Sequence, residues 1–389
     1  MNKGQTIFSQ VMDFVPTHEF KRCVKRYHGS HKVQNFSCWD HFLCMAFAQF
    51  TYRESLRDIE HCLNAHRSKL FNLGFRGNVT RSTLSYANNT RDWRIYADFA
   101  SVLIEIAKDL YRDEQFAVDI SETVYALDST TIDLCLSVFP WAAFRKTKAA
   151  IKLHTLLDLR GNIPSILGIS KGKMHDVNIL DILLVEPGAL YLIDRGYIDY
   201  ARLHNLAKSC AYFITRSKSN MQFDRLVSQD VDKTCGILCD QIIRLSGFYS
   251  SQHYPDRLRR IKYHDTETDK TLVFITNNFL LASPIIARLF KCRWEVELIF
   301  KWIKQHLRIK SFYGTSENAV KTQIWIALSV YLIVAIIKKR LKIEASLYTI
   351  LQILSVSLFE KTHVLQALSN IPPDFEEYQS PNQLNLFDL

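Results

Sequence analysis

FKCRWEVELIFKWIKQHLRIK, residues 290–310, contains no Gly or Pro and is rich in helix formers, which predicts a helix. At about 100° per residue, Phe290, Arg293, Glu297 and Lys304 fall on one side of that helix. Val296, Phe300, Ile303 and Leu307 form an apolar stripe on the adjoining side, which would face a core. The helix thus presents one acid flanked by cations at the edge of a buried surface. Taken alone, Arg293 and Glu297 also read as an ordinary surface i,i+4 pair.

Upstream, the texture is that of a mixed sheet. Residues 123–132 (TVYALDSTTI) read as a strand ending on polar residues, and 151–158 as a second strand. Arg160-Gly161-Asn162 reads as a turn and 163–170 as a third strand. Residues 176–184 suit a short helix. Residues 189–193 form an apolar strand stopping at Asp194-Arg195-Gly196-Tyr197. A helix at 200–208 and a buried strand at 211–215 follow. Three strands joined by turns, then alternating strands and helices, match the order of a ribonuclease-H-like α/β core with helices on its faces. Residues 220–277 do not fit that core. Their apolar run at 236–245 and a hairpin at 257–263 and 271–276 predict a β-rich insertion before the closing helix.

In such a sheet, with first and fourth strands adjacent, Asp128 of YALDST and Asp194 of LIDRGY lie at strand ends, and Glu297 approaches from the packed helix. Three like charges at close range either protonate or bind a hard divalent cation through oxygen. Two Mg2+ ions, with Mn2+ as an alternative, held about 4 Å apart, can activate an attacking oxygen and stabilise a leaving 3′ oxygen of a phosphodiester. Asp133 and Asp158 are rivals that rank lower, because Asp133 lies past the strand end and Asp158 adjoins a turn. Each preferred Asp also has a plainer reading as a turn or cap residue.

The spacing Phe290-x2-Arg293-x3-Glu297-x6-Lys304 resembles the Y-x2-R-x3-E-x6-K motif of the insertion-sequence-four family of bacterial DDE transposases. Phe290 stands where the motif has Tyr, and Trp294 follows the Arg as it often does in the family. The resemblance extends over about residues 1–340. It implies a catalytic, metal-holding triad of Asp128, Asp194 and Glu297 and a cut-and-paste reaction. Water cleaves at the element's end, the freed 3′-OH closes a hairpin on the other strand, the hairpin reopens, and the 3′-OH joins target DNA. It also implies a dimer pairing two terminal inverted repeats. Arg293 and Lys304 would hold phosphates. Phe290 is grouped with them at the DNA. Trp294 would stack on a displaced base, against a plainer reading as a core Trp. Arg195, Lys152, His154, Lys171, Lys173 and His175 are further candidates for the DNA path, though each taken singly reads better as solvated surface charge.

Composition agrees with a nucleic-acid partner. Lys plus Arg number 49 against 39 Asp plus Glu, a net charge of +10 with pI near 9.0, which favours polyanions. Nine scattered Cys with no C-x2-C pair read as reduced thiols of a cytoplasmic, nucleoid-associated protein. The N-terminus lacks a signal-peptide apolar core, and the apolar run 324–337 is short for a membrane span, so no membrane is expected.

Residues 1–115 read as helical: 8–14, 18–27, 38–49, 55–63 and 93–107 carry apolar residues at 3–4 spacing. Residues 80–91, TRSTLSYANNTR, join an N-cap-like Thr to Arg, Asn and Tyr side chains that suit phosphate and base contacts. They read either as a recognition helix with Arg81 and Arg91 at the DNA, or as a polar inter-helix segment. The expected organisation is a helical DNA-binding domain (1–115), the catalytic domain (116–314), a helical region (315–370) and a tail (371–389). In the tail, Gln383, Leu384, Leu386 and Phe387 of QLNLF resemble the short peptide by which bacterial proteins dock on the DNA polymerase sliding clamp. Two rival functions remain at this stage: a nuclease of the same fold that does not join strands, and a DNA-binding protein derived from a transposase that has lost catalysis.

Overall fold

The computed structural model describes residues 4–31, 33–75, 77–114, 118–294, 296–297, 300 and 312–369, with the side chains of 72, 166, 167 and 369 excepted. The described residues form two compact units, one from Met1–Ala100 with Trp325–Leu389, the other from Ser101–Ile324. These divisions differ from boundaries at 115 and 315. The reason is that a continuous helix runs through each junction, so composition changes where packing does not.

The first unit is helical: α1 (Ile7–Met12), α2 (Thr17–Arg26), α3 (Cys38–Phe50), α4 (Leu56–Ala65), α5 (Arg81–Thr90) and the start of α6 (Arg94–Tyr111). Small polar residues set the starts. Thr6, Ser55 and Thr80 accept backbone N–H groups at α1, α4 and α5, and Ser37 and Asp40 form a reciprocal capping box on α3. Aromatic packing closes the core: the Phe20 ring lies 5.2 Å from Trp39, 5.4 Å from Phe42 and 5.0 Å from Phe99. Each such ring, when fully buried, contributes on the order of 1.5–3 kcal/mol. His41 is wholly buried and joins three elements. Its Nε2–H donates to Asn88 Oδ1 (2.8 Å), which leaves Nδ1 to accept from the Tyr96 hydroxyl (2.7 Å). Burial lowers its pKa to about 3, so the ring stays neutral. The start of α1 meets residues 358–360 here, since Ile7 N–H donates to Glu360 O and Phe8 N–H to Leu358 O.

The helix Glu317–Arg340 is longer than its apolar run suggests and long enough to cross a membrane, but 94% of its most apolar window is buried inside the protein. All nine cysteines are free thiols.

The second unit is built on a ten-stranded sheet. Its core strands are β1 (Val124–Leu134), β3 (Lys148–Asp158), β4 (Ile163–Lys171), β5 (Leu190–Ile193) and β6 (Tyr212–Arg216), with the short β2 (Ala143–Arg145) beside β3. β4, β3 and β1 run antiparallel in turn, and β1, β5 and β6 run parallel. This is the expected ribonuclease-H-like arrangement. The β3–β4 turn has Gly161 and Asn162 at φ +74° and +57°, and a Cβ on Gly161 would lie 2.2 Å from the Tyr111 ring. Only glycine fits there. α7 (Tyr200–Lys208), capped by Asp199, buries Leu203 and Leu206 in a core shared with Tyr191, Ile193 and Phe213.

The insertion extends this sheet instead of standing beside it. Its strands β7 (Phe223–Gln229), β8 (Ile237–Leu245), β9 (Leu258–Asp265) and β10 (Lys270–Thr276) continue in the order β6-β10-β9-β8-β7, with a one-and-a-half-turn helix α8 (Phe248–His253) between β8 and β9. After β10 comes α9 (Ser283–Cys292), with Pro284 in its first turn. The closing helix therefore begins seven residues earlier than expected and turns at Arg293. Trp294, Val296, Glu297 and Phe300 are helical again beyond that turn.

Candidate active site

Two strands place the first two acids. β1 and β5 are parallel neighbours with Leu127 opposite Ile193, so Asp128 and Asp194 are the next residues on each and lie side by side. β5 stops there because Asp194 turns outward as a cap, its Oδ2 accepting the Gly196 N–H at 3.1 Å. β1 runs on past Asp128 to Leu134, two residues beyond the expected end at 132, paired with β3. Asp128 is where β1 outlasts its parallel partner.

The third acid arrives through an arginine. Arg293 Nη1 donates to Asp128 Oδ2 at 2.7 Å and Nη2 to Glu297 Oε1 at 2.9 Å. The Arg293 side chain is 12% exposed and its guanidinium carbon lies 5.8 Å from the centre of the Phe290 ring. Arg293 therefore holds two carboxylates together, where a free phosphate-binding cation was expected. Phe290 is not at the DNA surface. It is 7% exposed and packs on Phe274 at 4.9 Å, so it serves as the shelf beneath Arg293.

Asp128 is the most enclosed acid. Burial, above all, raises its carboxyl above the ordinary range, and the Asp194 and Glu297 charges add to that. The Ser129 N–H, donating to Oδ1 at 2.7 Å, and Arg293 act in the opposite sense. Among the described residues no three His, Cys, Asp or Glu side chains are gathered into a ready-made metal cage. The donor chemistry nevertheless fits a hard divalent ion. All three groups offer carboxylate oxygen only, and Asp128 sits in a crowded, desolvated position that a cation relieves.

Sequence reasoning missed the support behind Asp128. Asp176 Oδ1 accepts the Ser129 hydroxyl at 2.7 Å and Lys152 Nζ at 3.1 Å. Lys152 also donates to Met174 O, so it is committed to the scaffold and does not line a DNA path. His154 is buried with its Nε2 on Ser170 Oγ, and it too leaves that set. The signal was present in Ser129 and Lys152, but only the β1–β3 register puts them together.

Trp294 is 60% exposed, which rules out the core-Trp reading. Arg195, Lys171, Lys173 and His175 are exposed. Asp133 is exposed on β1 beyond the site, and Asp158 ends β3 opposite Tyr125 of β1, accepting the Arg160 N–H. On α5, Arg81 and Tyr86 are exposed, while Leu84, Ala87 and Asn88 face inward. Arg91 is not available to DNA as expected: its guanidinium donates to the Ser37 and Phe36 carbonyls and lies over the Phe36 ring. Lys304 and the tail residues Gln383, Leu384, Leu386 and Phe387 lie outside the described residues.

The parallel strands thus carry Asp128 and Asp194 side by side, with the helix-borne Glu297 joined to Asp128 through Arg293. The family model described as "Transposase DDE domain" matches residues 119–333, and one described as a domain of unknown function (DUF4372) matches residues 3–76. A putative transposase, y4zB, of Sinorhizobium fredii is 30% identical over 259 residues, covering 66% of this chain and 72% of that protein. A putative transposase for insertion sequence element IS4SA of Synechocystis is 23% identical over 70% of this chain and 76% of its own length. A probable transposase for insertion sequence element IS5377 of Geobacillus stearothermophilus is 25% identical, over 53% of this chain and 54% of that protein. The cryo-EM structure of a piggyBac transposase synaptic complex with hairpin DNA aligns at TM-score 0.44 and 10% identity, over 97% of this chain and 84% of that one.

The chain belongs to the DDE transposases, in the insertion-sequence-four family. With membership come DNA as substrate, cleavage and strand transfer as reaction, and dependence on a divalent metal.

Proposed function

We propose that this transposase binds the terminal inverted repeats of an insertion sequence and moves it by cut and paste through hairpin-ended intermediates. The observation that carries the reading is the pairing of Asp128 beside Asp194, with Glu297 tied to Asp128 through Arg293. Asp128, Asp194 and Glu297 would hold two Mg2+ ions, or Mn2+ in their place. Bound there, the ions supply charge stabilisation to the attacking and leaving oxygens of an in-line displacement.

The chain's own residues do the rest. The Ser129 N–H fixes the Asp128 carboxylate while Asp176 holds the Ser129 hydroxyl, and positioning of this kind supplies much of the rate. Arg293 keeps two carboxylates from repelling one another. Lys304 and Arg195 add phosphate contacts. Trp294, exposed beside Arg293, stacks on a base displaced as the hairpin closes. Arg81 on α5 contacts end DNA. The active form is a homodimer on paired ends, working in the bacterial cytoplasm at the nucleoid.

The test is incubation with a duplex of the element's own end and Mg2+, followed by a denaturing gel. We expect a hairpin of twice the strand length, lost on chelation. Nicks that never become hairpins would overturn the cut-and-paste reading in favour of a nuclease, and binding without cleavage would point to a catalytically silent binder.

We also propose that the tail peptide Gln383-Leu384-Asn385-Leu386-Phe387 docks on the polymerase sliding clamp through its Leu and Phe anchors. Alanine at both Leu386 and Phe387 is expected to abolish clamp pull-down without changing cleavage. Undiminished pull-down would refute it.

A further inference from the structure

A cleft of about 660 Å³ opens in the helical unit between α2 and the start of α3, of a size that takes small ligands. Phe20 and Trp39 line its apolar side. Trp39 is half-buried and locked, stacked on Phe42 at 5.4 Å and 22° with its edge against Phe20. Lys21, Lys25, His28 and His31 also line it, all exposed, and no carboxylate is among the described residues of the lining. Lys21 and Lys25 stand one helical turn apart, about 6 Å along α2, and His28 follows just past its end. The rim is rigid. His28 holds a left-handed φ of +52°, a conformation non-glycine residues adopt where structure demands it. Gly29 behind it is wedged so tightly that a Cβ would meet Ile95 Cδ1 at 2.6 Å and Cys38 Sγ at 2.9 Å.

An immobilised aromatic platform sharing a cleft with a row of basic side chains, with no acid in the lining, fits a nucleobase and its phosphates. Duplex DNA hides its base faces, so the platform is of use only to unpaired nucleotides. We infer that this cleft binds an unpaired stretch of DNA, a base against Trp39 and phosphates on Lys21, Lys25 and His28. The inference rests on the DNA-end-binding reading above and adds a second contact, outside the catalytic unit, that prefers frayed or displaced strand.

The test measures fluorescence anisotropy of the full chain with a short labelled oligothymidine and, separately, with a blunt duplex of the element's end. The variants are Lys21→Gln/Lys25→Gln, changed only at exposed positions, and Trp39→Leu, accepted only if its thermal melt matches wild type. For oligothymidine, affinity should fall about tenfold in each, and in the Lys pair the salt slope should drop by about 1.4, about 0.7 per lost phosphate. Duplex affinity should stay within about twofold. Equal losses on both probes would make the stripe a general phosphate surface and overturn the cleft. Unchanged oligothymidine binding by the Lys pair would also overturn it, while duplex binding left intact would keep the end-binding reading. Wild type binding neither probe would remove that reading, and this one with it.

Discussion

Glu297→Gln is expected to lower Mg2+-dependent cleavage of end DNA by about 10³-fold or more, with duplex affinity unchanged or slightly improved. Gln keeps the shape and an oxygen for the Arg293 Nη2–H, now 2.9 Å from Glu297 Oε1, so the local hydrogen bond survives. It loses the negative charge a divalent ion needs, in a reaction where charge neutralisation dominates the barrier. The chain's net charge of +10 becomes more positive by one, which does not weaken attraction to DNA. Single-turnover cleavage with matched binding data decides it. A variant that cuts at more than about a tenth of the wild-type rate would take Glu297 out of the triad.

Asp240→Ala is expected to cost about 3–5 kcal/mol of stability, a fall of about 10 °C in the melting of the catalytic unit. Asp240 and Arg259 are 2% and 4% exposed. Arg259 Nε donates to Asp240 Oδ1 at 2.9 Å and Nη2 to Oδ2 at 2.5 Å, while Nη1 holds Leu281 O at 2.5 Å. Removing the acid strands a buried guanidinium, whereas Asp240→Ala with Arg259→Met removes both charges and should recover most of the loss. Calorimetry on the two variants checks this. A single variant within about 1 kcal/mol of wild type would refute it. The pair also clasps the segment leading into α9, so the damage should reach Arg293 and Glu297 as slower cleavage beyond the loss of fold.

Much of the fold was legible because its signals are local. Residues 200–208 read as a helix and form α7 with those bounds, and the alternating and apolar runs around Asp128 and Asp194 became β1 and β5. β7 was missed because its residues are almost wholly exposed and carry no burial pattern to read. At the site, the three acids were legible as candidates, two where apolar strands turn polar and one on the closing helix. The hold of Arg293 on two of them was not, because it depends on which donor lies nearest in three dimensions. Phe290 and Arg91 misled for one reason: a residue type suited to DNA is equally suited to packing, and only burial and partners separate the two.

The way β10 joins β6 changes which part of the sheet is chemically bare. Without residues 217–277, β6 would end the sheet with a row of unsatisfied amides and carbonyls one strand from Asp194. Such a margin invites a second chain to add a strand. Pairing with β10 moves that margin four strands outward, to β7, where Asp224 and Arg225 bring charge to it. The insertion thus keeps adventitious strand addition away from the carboxylates.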